Sequence, residues 1–334
     1  MNRERETALR KILLTAYPDR VTLRRANDPA RGLMVGGRGV VLEPSCVVRQ
    51  APLFLSIDPR DTAAMAGAGE ARVSLASAID EAWLEELLPH LIERRTMHRF
   101  DETRGKVMRL RQTIFAGLVV REEESGARGG HEGASEALFE TLQRDVEAVF
   151  KNDESAVRLL ARLSFLRRQM PELGWPEMNH DDLEEILREA CAGAASLAQV
   201  HAHGLARLIE SRLSWKQRAA LDQHAPEAVA VPSGSRIRLQ YADDGAAPIL
   251  AARLQELFGW AETPRLAAGR APVLLHLLGP NYRPVQVTMD LKNFWNTTYA
   301  EVRKNLRARY PKHPWPEDPW NAPAAAVGRR RRRE

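Results

Sequence analysis

The sequence predicts an α+β protein of several parts: a small OB-like β-barrel, a helical subdomain and a C-terminal mixed α+β domain. Three observations predict it. Short apolar runs separated by glycine and proline turns fill residues 17–122. Apolar residues recur at helical spacing from Ser135 to about His224. Beyond Pro226, strand-like and helix-like runs alternate. The chain has 334 residues, too many for one ordinary core at about 100–200 residues per domain. Its 44% hydrophobic and 28% charged residues are those of a folded globular protein.

In chain order, residues 1–16 form an N-terminal helix, with Leu9, Ile12, Leu13 and Ala16 at helical spacing and Pro18 as its stop. Residues 17–122 form the OB-like part. There Leu33 to Val35 and Val40 to Leu42 flank the turn Gly36-Gly37-Arg38-Gly39. Leu53 to Ile57 and Ala71 to Leu75 are further strands, and Asp80 to Leu88 is a helix. Val107 to Val120 closes the segment as one long strand-like run. Glycines among polar residues make 123–134 a linker. The helical subdomain covers 135–225, broken by Pro171 and Pro176, with Asn179 placed to cap the helix that follows.

The C-terminal domain covers 226–320. Ala228 to Val231 and Ile237 to Tyr241 are strands around the turn Pro232-Ser233-Gly234, and Ile249 to Phe258 is a helix. Val273 to Leu278 is a buried strand, Pro284 to Val287 is another, and a final helix capped by Asp290 runs through Arg309. Residues 321–334, with Arg329 to Arg333, are a disordered basic tail.

Much chemistry is missing. A Walker loop needs Gly-x-x-x-x-Gly-Lys-Ser/Thr, but Gly105-Lys106 is followed by Val107 and has no glycine at the upstream spacing. Asp181-Asp182 sits in the first turn of a helix, where carboxylates favour the helix dipole. No Cys-x-x-Cys is present, and His201 and His203 fall on roughly opposite helix faces, so no metal site is expected. No Gly-x-Ser-x-Gly elbow occurs. We therefore expect no catalytic residue and no cofactor in this chain. Cys46 and Cys191 are expected to be buried, reduced thiols. No stretch approaches the ~20 apolar residues of a membrane span, and the charged N-terminus is not a signal peptide. A cytoplasmic location is expected.

The net charge of +5 and pI near 9.4 favour polyanionic partners. The candidate surface is the final helix. Trp295, Tyr299, Val302 and Leu306 share one face, while Arg303, Lys304 and Arg307 lie off it, followed by Arg309 and Lys312. Two readings stay open for Trp295, Tyr299 and Trp315: core or lid residues, or rings that stack on bases while the cations follow phosphates. A second candidate surface lies on the barrel-like part, at Arg24, Arg25 and Arg38 near the first hairpin.

Several segments resemble one family. Arg283-Pro284-Val285-Gln286-Val287-Thr288, Asp290-Leu291, Phe294-Trp295, Tyr299 to Lys304 and Arg309-Tyr310-Pro311-Lys312-His313-Pro314-Trp315-Pro316-Glu317-Asp318-Pro319 are similar to the C-terminal signature of HrpB-type bacterial DExH-box helicases. Val231 to Ser235, Arg253 to Gly259, Glu262-Thr263-Pro264 and Ala16 to Val21 resemble the same family. The resemblance implies an accessory region of an ATP-dependent, RNA-directed helicase. Its partners would be single-stranded RNA and a motor polypeptide. ATP and magnesium would be bound by motor domains whose motifs this chain lacks. It also implies that Arg24, Arg25 and Arg38 lie on a barrel at the nucleic-acid channel. The alternative reading is a protein-interaction scaffold that does not itself hold nucleic acid.

Overall fold

The computed structural model describes residues 3–60, 70–128, 130 and 133–325. The arginine run Arg329 to Arg333 lies outside them. The chain divides into two units, one of residues 1–138 and 193–197, the other of 139–192 and 198–334. Among the described residues no helix is long and apolar enough to cross a membrane.

The first unit starts with helix α1 (Arg3–Ala16) and six strands: β1 (Val21–Arg25), β2 (Asp28–Met34), β3 (Gly39–Leu42), β4 (Leu53–Ser56), β5 (Glu70–Val73) and β6 (Ala76–Ala78). They form one sheet in the order β5-β3-β2-β1-β4-β6, antiparallel except for β3 with β5. The β2–β3 turn uses Gly36 and Gly37 at φ 82° and 79°, a region costly for other residues. Beyond β4 the chain continues along β5: Ile57 N donates to Leu75 O (2.9 Å), and Arg60 pairs with Arg72. The Asp58 carboxylate holds this junction by accepting from the Leu75 amide (2.7 Å) and from Ser74. The β4 segment thus reaches both β1 and β5.

β4 is buried on both sides because its alternate residues enter two cores. Leu53 and Leu55 join Leu14, Leu84, Leu88, Phe115 and Leu118. Phe54 joins Val40, Leu42, Cys46, Ala71 and Val73. Buried Thr22 and Ser56 satisfy each other at 2.8 Å. A side chain at Gly32 would meet Thr22 Cγ2 at 2.6 Å and the Phe54 ring at 3.2 Å, so the backbone can approach this core only as glycine.

Helix α2 (Glu81–Leu87) precedes strands β7 (Ile92–Asp101), β8 (Lys106–Phe115) and β9 (Leu118–Gly126), a separate antiparallel sheet in that order. This departs from the sequence expectation in three ways. Val107 to Val120 is a hairpin whose turn, Ala116-Gly117, has both φ positive (44° and 85°). β7 was not expected, because Glu93 to Arg99 is mostly polar and exposed and shows no buried face in sequence. β9 runs to Gly126, into the segment read as a linker, held there by pairing with β8. On α1 the buried residue is Leu14, while Leu9 and Ile12 are 48% and 62% exposed.

Helix α3 (Ala134–Leu142) leads into the second unit, with α4 (Val146–Lys151), α5 (Glu154–Gln169), α6 (His180–Cys191), α7 (Leu197–His203), α8 (Leu205–Ser211) and α9 (Trp215–His224). Helicity from 134 to 224 follows the leucine periodicity, and Leu159, Leu163, Leu166, Leu183, Ile186, Leu187, Leu205 and Ile209 are buried. Asn179 caps α6 in a reciprocal box with Asp182. His203 hydrogen-bonds Ala190 O (2.7 Å), and His201 faces Asp153 (3.4 Å). Cys46 and Cys191 are buried and form no disulfide.

Next come the hairpin β10 (Ala228–Ala230) and β11 (Arg236–Arg238), strand β12 (Ile249–Arg253) and helix α10 (Leu254–Leu257). After them lie the short pair β13 (Arg265–Leu266) and β14 (Ala271–Pro272), then β15 (Leu274–Leu278) and β16 (Pro284–Thr288). Ile249 to Phe258 is therefore a strand and a short helix rather than one helix. The run Ile-Leu-Ala-Ala fits either period, and parallel pairing with β15 decides for the strand. β12, β15 and β16 form one sheet in that order. Last are α11 (Leu291–Asn293), a π-helical turn Phe294–Thr298 and α12 (Tyr299–Arg309). Residues beyond 320 were read as tail, yet Ala325 N donates to Gln255 O (2.8 Å), so the described part of that segment is tied down.

Candidate nucleic-acid interface

The candidate surface is built on the end of the second unit. Asp290 caps α11 by accepting from Asn293 N, as the sequence suggested. One side of the helix that follows is core: Trp295, Tyr299 and Leu306 are buried, and Val302 is half-buried. Trp295 and Tyr299 meet edge to face, with centroids 5.1 Å apart, beside Phe294 and Phe258. Of the two readings for these rings, burial selects the core one. Trp315 is buried as well.

A strap from Tyr310 to Glu317 is pinned to this helix by polar contacts. Trp315 Nε1 donates to Tyr310 O (2.9 Å) and Tyr299 Oη to Pro316 O (2.9 Å). Arg303 Nε donates to Trp315 O (2.9 Å), and Arg303 Nη2 meets Glu317 (2.8 Å). Burial pushes the Tyr299 phenol up to about 12, so it remains a donor at any physiological pH.

The candidate cations therefore divide. Arg303 is partly buried and spent on the strap. Lys304, Arg307, Arg309 and Lys312 are exposed, and among the described residues their side chains have no hydrogen-bond or ion-pair partner. Ala300, Lys304 and Ala308, and beside them Arg303, Arg307 and Pro311, repeat at four-residue steps, so the two rows form one stripe along the helix. They line an open groove of about 610 Å³, with the small side chains of Ala300 and Ala308 between the cations. Glu301 is the one acid on α12. Arg309 also complements the C-terminal end of the helix dipole.

Arg24, Arg25 and Arg38 lie in the other unit and are more fully engaged. Arg24 donates to Ala51 O (2.8 Å), Val48 O (3.0 Å) and Pro29 O, over the Phe54 ring. Arg25 pairs with Glu70 at 3.5 Å. Arg38 is half-buried and has a partner. The structure thus gathers Lys304 and Arg307 into one surface, with Arg309 and Lys312 beyond its end, and ties Arg24 into loop packing.

Comparison with known proteins places this surface in a family context. Residues 186–319 match the family model HrpB_C, described as ATP-dependent helicase C-terminal. The chain is 31% identical over 321 residues to the ATP-dependent RNA helicase HrpB of Escherichia coli K12, covering 93% of this chain and 38% of that protein. The crystal structure of the E. coli DExH-box NTPase HrpB superposes with a TM-score of 0.56 at 28% identity, over 96% of this chain and 39% of that one. The chain therefore spans about two fifths of the length of the helicases it matches. It resembles the C-terminal region of HrpB-type ATP-dependent helicases, and the match to the helicase C-terminal family model falls on residues 186–319.

Proposed function

We propose that this chain is a nucleic-acid-gripping accessory module of an HrpB-type helicase, holding single-stranded RNA through α12. The observation that carries this reading is the groove on which Lys304 and Arg307 stand exposed and unpaired among the described residues. Unpaired cations on a rigid helix bind phosphate by displacing its counterions, a salt-sensitive and sequence-blind interaction. The preference for RNA rests on the name of the E. coli relative. Sheet order β1-β2-β3-β5, with β4 on β1 and the segment just after β4 bridging to β5 through Arg60 and Arg72, and a parallel β3–β5 pair, support an OB-like barrel in the first unit. Exposed Leu9 and Ile12 on α1 support docking onto a motor polypeptide.

Converting Lys304→Glu and Arg307→Glu together tests the reading. The double variant should bind an oligoribonucleotide more weakly. The slope of log affinity against log salt should flatten by about 1.4, from two phosphate contacts at ~0.7 each on a single strand. Affinity and slope equal to those of the unaltered chain would remove α12 from the interface.

A further inference from the structure

Among the described residues, the largest exposed aromatic is far from α12 in sequence. Trp215 opens α9 and is 78% exposed. A tryptophan ring covers about 150–250 Å² when it finds a partner, and among the described residues no ring or cation packs on this one. Its mount is rigid. Ser214 Oγ accepts from Gln217 N, and Gln217 Oε1 accepts from Ser214 N (2.8 Å). Gln217 Nε2 also donates to Leu173 O (3.2 Å) and Gly174 O (2.8 Å), fixing the first turn to the segment after α5. The ring is thus held on a turn fixed by four hydrogen bonds, with its surface left open.

Its neighbours indicate what would cover it. Arg218 and Ala219 follow at three and four residues, on the same side of the helix. Lys216 is adjacent. Lys216, Arg218 and Ala219 are all exposed, and neither cation has a partner among the described residues. A protein partner would be met here by one small apolar residue among cations and amides, a poor rim for an apolar anchor. A flat π-face flanked by two unpaired cations matches a nucleobase with its own phosphates.

We propose that Trp215 is a base-stacking platform for single-stranded nucleic acid, with Lys216 and Arg218 on the adjoining phosphates. This is a second contact on the unit that carries α12, and it rests on the nucleic-acid reading above.

The test measures binding of a fluorescein-labelled oligouridylate by anisotropy to the full chain, across a salt series. Trp215→Ala should lose about tenfold in affinity, Trp215→Phe should keep most of it, and neither should change the salt slope because no charge is altered. Lys216→Glu with Arg218→Glu should flatten the slope. Because Trp215 is exposed, all variants should melt as the unaltered chain does. If Trp215→Ala binds normally while Lys304→Glu/Arg307→Glu is impaired, the platform is overturned and the α12 reading stands. If Trp215→Phe is as weak as Trp215→Ala with melting unchanged, ring stacking is not the contact and the platform is likewise overturned. An unaltered chain that binds no oligonucleotide at low salt overturns both.

Discussion

Arg303 and Lys304 are neighbours with the same charge and different work. Arg303 spends its guanidinium on Trp315 O and on Glu317, which is largely exposed, so that ion pair adds little and the bond to the carbonyl carries the effect. A hydrogen bond from a charged donor contributes about 1.5–3 kcal/mol. Arg303→Ala should therefore loosen the strap from Tyr310 to Glu317, seen as faster amide exchange and protease cutting there, and leave the salt slope of oligonucleotide binding unchanged. A flatter slope with the strap still protected would instead place Arg303 on a phosphate. Periodicity put Trp295, Tyr299 and Leu306 on one face, and burial in the folded chain turned that face inward. It could not show which cations backbone carbonyls would claim. Arg24 and Arg303 are both claimed by carbonyls 12 or more residues away, on segments that only the folded chain brings near.

At the scale of elements, the first turn of α6 meets α4 through a pair of opposite charges. His180 Nδ1 lies 2.8 Å from Glu147 Oε1. The hydrogen bond to Glu147 and its charge raise the His180 pKa above its ordinary value, and the same bond lowers that of Glu147. The His180 contribution is present below its unfolded pKa and fades as pH rises through the raised folded value. The Glu147 contribution is present above its unfolded pKa and fades as pH falls through the lowered folded value. The pair thus ties α4 to α6 between those two folded values. In an NMR titration, Glu147→Gln should return the His180 midpoint towards 6.5; a midpoint that does not move would mean the two side chains do not meet in solution. The cap that starts α6 was legible, since Asn179 and Asp182 stand at the box spacing. Strand β7 was not, because an exposed strand held by its neighbour has no buried side to announce it. β12 was misread for the opposite reason: it is apolar enough to fit two periods, and its partner β15 is far along the chain.

On the scale of the whole molecule, the mixture of helices and strands was legible and the membership of the compact units was not. The sequence suggests a helical subdomain and a separate α+β domain meeting near residue 225, yet residues 139–192 and 198–334 make one unit. Residues 193–197, between two helices of that unit, belong to the other one, where Val107 N donates to Ala195 O (2.8 Å) and Leu197 N to Gly105 O (3.0 Å). The match to the helicase C-terminal family starts at residue 186, inside α6. The contacts that hold this unit together start earlier, on α5 and just after it. Buried Arg162 donates to Ala225 O (2.7 Å) and Leu221 O (3.3 Å), satisfying carbonyls at the end of α9. The Phe165 and Tyr241 rings meet at 5.4 Å, and Gly245 lies so close to Ser164 O that a Cβ would come within 2.7 Å. Arg270 donates to Gln169 O (2.8 Å) and pairs with Glu172 (2.6 Å). A fragment of residues 186–319 loses every one of these partners and exposes the apolar side of α6 and α8. Each hydrogen bond lost from a charged donor costs about 1.5–3 kcal/mol, against a total stability of only about 5–15 kcal/mol for a domain. A fragment of residues 139–325 should therefore melt cooperatively by circular dichroism, while 186–319 should show no sharp transition and little amide protection. An equally sharp melt for the shorter piece would show that α5 is dispensable and that the family match alone bounds the folding unit.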